Sequence, residues 1–342
     1  MKPLLTQDDL EDQLSLPTPG VLDTLRALDG DVMVLGAGGK MGPTLARMLR
    51  RGFDAVGKKD RTVYAVSRFS NPGAAAELEV HGVRTLACDL LDRADVQALP
   101  EVANVIFMAG QKFGTHDSPE LTWVMNTIVP AIVADRYVGS RIVVFSTACV
   151  YPLMPVAGPG SREEDALGPP GDYANSCVGR ERIFTHYAKE TGTRALMFRL
   201  SYAIDLRYGV LHDVAQRVAQ GQPVDVTMGH ANIIWQGDAN ARAIQCLERT
   251  ACPPPALNVT GLERVSIRAV AEQFGSLLGK PAVITGSEAP TAWLFDASRS
   301  YEWFGPPTVT LEEMIHATAQ WVRQGGASLG KPTHFETRDG NF

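Results

Sequence analysis

Six short, nearly unbroken apolar runs, each followed by a polar or helix-patterned segment, restrict this chain to few folds. They are DVMVLG (31–36), TVYAVS (62–67), GVRTLAC (82–88), NVIFMA (104–109), RIVVFST (141–147) and ALMFRL (195–200). A strand covered on both faces reads as continuously apolar, because neither side meets water. Strands that alternate with helices wind most economically as right-handed βαβ units of one parallel sheet. After residue 200 the pattern loosens, and a seventh run returns at ALNVTG (256–261). Helical periodicity is expected in VLDTLRALDG (21–30), DVAQRVAQG (213–221), RAVAEQFGSLLG (268–279) and LEEMIHATAQWVRQ (311–324).

Composition narrows the function. Of 342 residues, 45% are hydrophobic and 20% charged, so a large core is available and global disorder is excluded. The net charge of −6, without a dense Lys/Arg run, argues against a nucleic acid or an anionic membrane as partner. Five widely spaced cysteines form no CxxC pair and no cluster with histidine, so no metal site is expected and reduced cytoplasmic thiols are. The acidic start and the lack of any 18-residue apolar stretch carry the same expectation of a soluble cytoplasmic protein.

The first run ends in Gly36-Ala37-Gly38-Gly39-Lys40-Met41-Gly42, and PTLARMLRRG then reads as a helix. GxGxxG would need a glycine at 41, which is Met41, whereas GxxGxxG is met by Gly36, Gly39 and Gly42. Between a buried strand and a helix, such glycines make the turn, admit a pyrophosphate to the backbone and allow close packing. The helix N-terminus adds free N–H groups and a positive dipole end. The expected dinucleotide contacts are Gly36, Gly39, Lys40, Met41 and Gly42. The second run ends at Ser67-Arg68, where an acid would bind the 2′-OH of NAD and an arginine the 2′-phosphate of NADP. Arg68 therefore favours NADP, with NAD the other option. Asp89, followed by Leu90, is placed either to bind an adenine amino group or to cap the next helix.

The glycine spacing, Asp89, MAGQK after the fourth run, STACVYP after the fifth and YANSCVGRERIF resemble the extended short-chain dehydrogenase/reductase superfamily, in its NAD-dependent epimerase/dehydratase family. The resemblance spans roughly 30–322 and implies a Rossmann-type, doubly wound parallel sheet of about seven strands with a small C-terminal substrate lobe. It divides the chain into an N-terminal extension (1–30), a nucleotide-binding domain (31–200 and 236–261), a substrate lobe (201–235 and 262–322) and a tail (323–342). It implies a homodimer. It places Ala109, Gly110 and Lys112 on the nicotinamide side and Asn126 at a cofactor-side asparagine.

The same resemblance makes Thr147 the hydroxyl that holds a substrate oxygen and Tyr173 the acid/base of a Tyr-x-x-x-Lys helix. Here the lysine position is Cys177. Residues four apart share a helix face, so a lysine there would reach the tyrosine. With a tyrosine pKa of about 10, a phenolate at pH 7 costs about 4 kcal/mol, which a thiol cannot recover. Lys112 and Arg180 are the cations left to supply it, and a nucleophilic role for Cys177 lacks an activating group. The family's Arg-x-x-Asn reads Arg199-Leu200-Ser201-Tyr202, and its later phosphate-binding arginine is missing from ANIIWQGD (231–238). A smaller polyol, free sugar or keto acid is then expected in place of a nucleotide-diphosphate sugar, with His230, Trp235 and Arg207 as further pocket candidates. The leading function is NAD(P)-dependent oxidation, reduction or epimerisation at a secondary alcohol or ketone of a sugar-like molecule. The alternative is a nucleotide-binding sensor or scaffold without redox catalysis.

Overall fold

A computed structural model describes residues 6–112, 114–115, 117–331 and 333–340. Its centre is a seven-stranded sheet of β1 (Val32–Leu35), β2 (Val63–Ser67), β3 (Arg84–Ala87), β4 (Asn104–Phe107), β5 (Arg141–Thr147), β6 (Arg194–Leu200) and β7 (Ala256–Val259). The spatial order is β7-β6-β5-β4-β1-β2-β3, with every neighbouring pair parallel. The winding direction reverses between β1 and β4, which opens a crevice at the strands' carboxyl ends. This is the doubly wound Rossmann arrangement that the apolar runs predict.

All four residues of β1 and of β4 are buried, as double coverage requires. β3 differs: Arg84 and Ala87 are exposed, because it is the outermost strand and its run is the least apolar. One face of the sheet packs on helices Pro19–Ala27, Gly42–Ala55 and Gln236–Gln245, and the other on Val129–Arg136 and Asp172–Thr191. A further core gathers Leu211, Val214, Phe274, Ile315 and Trp321 from helices Val210–Gln220, Ile267–Leu278 and Leu311–Arg323.

The N-terminal segment holds a helix, Gln7–Leu14, that the polar sequence conceals. A reciprocal Thr6–Asp9 capping box starts it, and Leu10 and Leu14, four apart, bury its one apolar stripe. Its acids join the two cores: Asp12 meets Arg47 at 2.8 Å and Glu11 meets Arg207 at 2.5 Å. Arg207, which also pairs with Asp205 at 3.0 Å, is therefore a buried structural cation and not a pocket residue. Trp235 is core, and His230 sits half-buried in a short strand pair with Ser266; neither lines the site. Among the described residues no helix is long and apolar enough to cross a membrane.

Candidate functional site

Two cavities lie along the carboxyl ends of the strands and meet over Gly36, Gly39 and Met108. The outer one, of about 440 Å³, is bounded by the ends of β2 and β3 and the segment after β4. The inner one, of about 280 Å³, is bounded by the end of β5, Tyr173, residues 200–203, Tyr208 and Thr333.

The glycine loop forms their common floor. Gly36 has φ +92°, and a Cβ there would lie 2.6 Å from the Ala109 nitrogen. Gly42 opens helix Gly42–Ala55 so close to the Ala37 carbonyl that a side chain would collide with it. Gly39 meets nothing nearer than 3.5 Å and turns its backbone to the open cavity. The helix start carries no side-chain cap at Met41. Uncapped N–H groups beside a bare backbone fit a pyrophosphate, so the residues present suit a dinucleotide.

Ser67, Arg68, Asp89, Leu90, Ala109 and Gly110 all line the outer cavity, with Arg68 exposed at its rim. The Asp89 carboxylate accepts the Leu91 N–H at 3.0 Å. Asp92, not Asp89, caps the following helix Arg93–Ala98. Asn126 reaches neither cavity. It accepts from the Gln111 N–H at 3.0 Å and donates to the Gln111 carbonyl and Ser176 hydroxyl, each at 2.9 Å. It thus positions the loop carrying Lys112 and does not face a cofactor. A side chain at Gly110 would collide with the Arg180 guanidinium.

The inner cavity collects Lys40, Met41, Lys112, Thr147 and Tyr173. Thr147 ends β5 and Tyr173 is the second residue of helix Asp172–Thr191, so sheet and helix bring two hydroxyl residues distant in sequence to the wall of one cavity. The Lys112 ammonium lies 5.8 Å from the centre of the Tyr173 ring. Burial pushes the Tyr173 phenol well above its ordinary value, and Cys177 and Cys149 push the same way; Arg180 and Thr147 oppose them. Burial lowers Lys112, while Cys149 and Cys177 act to raise it.

Cys177 shares the tyrosine's helix face, four residues on, but does not line the cavity. It is fully buried among Ala148, Val150 and Trp293, and burial raises its thiol. It lies in the apolar cluster against which Tyr173 packs and not among the residues of the cavity wall. Arg180 spends its guanidinium on the Phe145 carbonyl at 2.7 Å and Asn126 at 2.5 Å.

The motif reading missed Tyr202, Tyr208, Cys149 and Thr333, all of which line the inner cavity. Tyr202 has the one sequence signal, following Arg199-Leu200-Ser201, and its φ of +38° marks a constrained backbone.

No curated protein sequence matches the chain. Among solved structures it is similar to dTDP-glucose 4,6-dehydratase from Bacillus anthracis in complex with NAD, with a TM-score of 0.73 and 16% identity over 86% of this chain and 96% of that one. It is also similar to a UDP-glucuronic acid 4-epimerase mutant from Bacillus cereus in complex with a UDP-sugar and NAD (TM-score 0.70, 17% identity, 86% and 99% covered). WbmG from Bordetella bronchiseptica, in complex with NAD and UDP, gives a TM-score of 0.70 at 17% identity over 90% and 99%. The NADP preference read from Arg68 finds no support here, since each of the three is described with NAD. The profile of the NAD dependent epimerase/dehydratase family matches residues 32–237, and the chain belongs to that family.

Proposed function

We propose that this protein is an NAD-dependent oxidoreductase or epimerase of the extended short-chain type, acting on a secondary alcohol or ketone of a sugar-like small molecule. The observation that carries the reading is the placing of Thr147 and Tyr173 together on the wall of a cavity that shares its floor with the glycine loop. An oxidised dinucleotide held over Gly36, Gly39 and Gly42 would supply the acceptor and donor of hydride for a carbinol carbon. Thr147 holds the substrate oxygen. Tyr173 takes its proton as the carbonyl forms and gives it back on reduction. Lys112 supplies the charge that Cys177 cannot, from the loop and not from the helix.

One observation favours a non-catalytic nucleotide-binding protein: the position after Tyr173 that would carry a cation is a buried thiol. Calorimetric titration of nucleotide-stripped protein separates the readings. Micromolar or tighter binding of NAD, with NADP weaker, is expected, followed by an absorbance change at the nicotinamide with members of a sugar and polyol panel. Binding without any turnover would leave the sensor reading.

The chain is also read as a homodimer through the sheet-flanking helices. Leu121, Trp123 and Ile128 are exposed large apolar residues along one of them. Light scattering at micromolar concentration is expected to give twice the 36.9 kDa chain mass; a monomer mass would refute it.

A further inference from the structure

The inner cavity has two features that the proposed reaction does not use. The first is its charge. Lys40, from the glycine loop, points its ammonium across to the substrate side, donating to the Ala203 carbonyl at 2.7 Å and lying 4.0 Å from the centre of the Tyr208 ring. Among the described residues no carboxylate lines the cavity and no salt bridge reaches Lys40. The nearby acids are engaged elsewhere: Asp205 pairs with Arg207, and Asp213 accepts the N–H and hydroxyl of Thr333 at 2.8 and 2.5 Å. Burial pushes Lys40 down to about 8, with Asp205 opposing. A buried ammonium of this kind gains most from an incoming anion.

The second feature is the wall. The C-terminal tail, which reads as a polar, Gly-rich appendage, supplies part of it through Thr333. Phe335 anchors it in the second core, Glu336 pairs with Arg217 at 2.7 Å, and Arg338 grips the Thr291 carbonyl and hydroxyl at 2.6 Å each. Gly340 then packs on Gly171, two residues before Tyr173. Thr333, only 2% exposed, closes the cavity from this strap. The cavity of about 280 Å³ has Thr333 of this strap on one side and the glycine loop on the other, dimensions that suit one small ring.

We propose that the substrate is a small sugar-like anion, bearing a carboxylate or phosphate and unlinked to a nucleotide, whose charge is met by Lys40 and whose size is limited by Thr333 on the tail. This rests on the oxidoreductase reading but is tested by binding alone. The full chain, loaded with NAD, is titrated calorimetrically with glucuronate, gluconate, glucose 6-phosphate, glucose and UDP-glucose. At least one of the three free anions should bind ten-fold or more tightly than glucose, with UDP-glucose giving no saturable heat. Which anion binds identifies carboxylate or phosphate as the group.

Lys40→Met should weaken that anion ten-fold or more, and by a larger factor than it weakens NAD. Thr333→Phe, which fills the cavity from the strap, should abolish anion binding at unchanged NAD affinity. The proposal is overturned if none of the three anions binds, if UDP-glucose binds comparably, if Thr333→Phe binds the anion as the parent does, or if Lys40→Met weakens NAD as much as or more than the anion. Turnover, read separately by nicotinamide absorbance, tests the reaction. Anion binding without turnover would sink the oxidoreductase reading alone, and turnover of glucose or UDP-glucose would sink this inference alone.

Discussion

Tyr173→Phe is expected to lower kcat by roughly 10²–10⁴-fold, the range that one positioned acid/base supplies, with NAD affinity unchanged. The phenol oxygen is the only atom removed. The ring remains to fill its place against Cys177, Leu153 and Val156 in their apolar cluster, so folding should not suffer. The size of the loss follows from the site's electrostatics. Burial and the two neighbouring thiols hold the phenol in its neutral form, which suits it to give a proton and makes it a poor base by itself. Arg180 and Thr147 favour the phenolate, and the Lys112 ammonium lies 5.8 Å from the ring centre. A cationic nicotinamide held in this cavity would add to them, so the base form would be favoured in the loaded enzyme. Steady-state kinetics with calorimetry on the variant decides it: turnover within ten-fold of the parent would remove Tyr173 from the mechanism.

The distribution of what the sequence reveals follows from what packing leaves in it. β1, β4 and β5 are legible because burial on both faces writes apolar residues without interruption. β3 is only half legible, because an edge strand keeps Arg84 in water. Gly36 can be placed from local spacing alone, since the turn it makes at a strand end demands glycine, whereas Thr147 and Tyr173 are found through the family resemblance of the motifs that carry them. Asn126 can be found the same way, but not its job; only the fold shows that its amide is consumed by Gln111 and Ser176. Thr333 is out of reach of any motif. Its strap is held by hydrogen bonds to Asp213 and Thr291 and by a single buried Phe335, and such anchoring leaves no apolar periodicity to read.

The largest stability effect is expected where the helix carrying Tyr173 is tied to the sheet. Glu181 projects from that helix between β5 and β6, with its side chain 6% exposed. It receives the Arg199 guanidinium through Nε at 3.0 Å and Nη2 at 2.7 Å, and the Ser146 hydroxyl at 2.6 Å. Arg199 also donates to the Tyr151 hydroxyl at 2.5 Å and to the Glu163 carbonyl at 3.0 Å. Burial works against the Arg199 charge, but the bonds and charge of Glu181 outweigh it. Arg199→Met leaves a buried carboxylate with one hydroxyl for partner, and should cost about 3–5 kcal/mol in denaturant unfolding. Replacing both members, Arg199→Met with Glu181→Met, should recover part of that loss, because an apolar pair carries no uncompensated charge. The pair's worth would then lie in fixing the helix that presents Tyr173, and the double variant should fold well while turning over poorly. If Arg199→Met costs less than about 1 kcal/mol, the range of an exposed ion pair, the carboxylate is finding water and the interior between β5 and β6 is not closed.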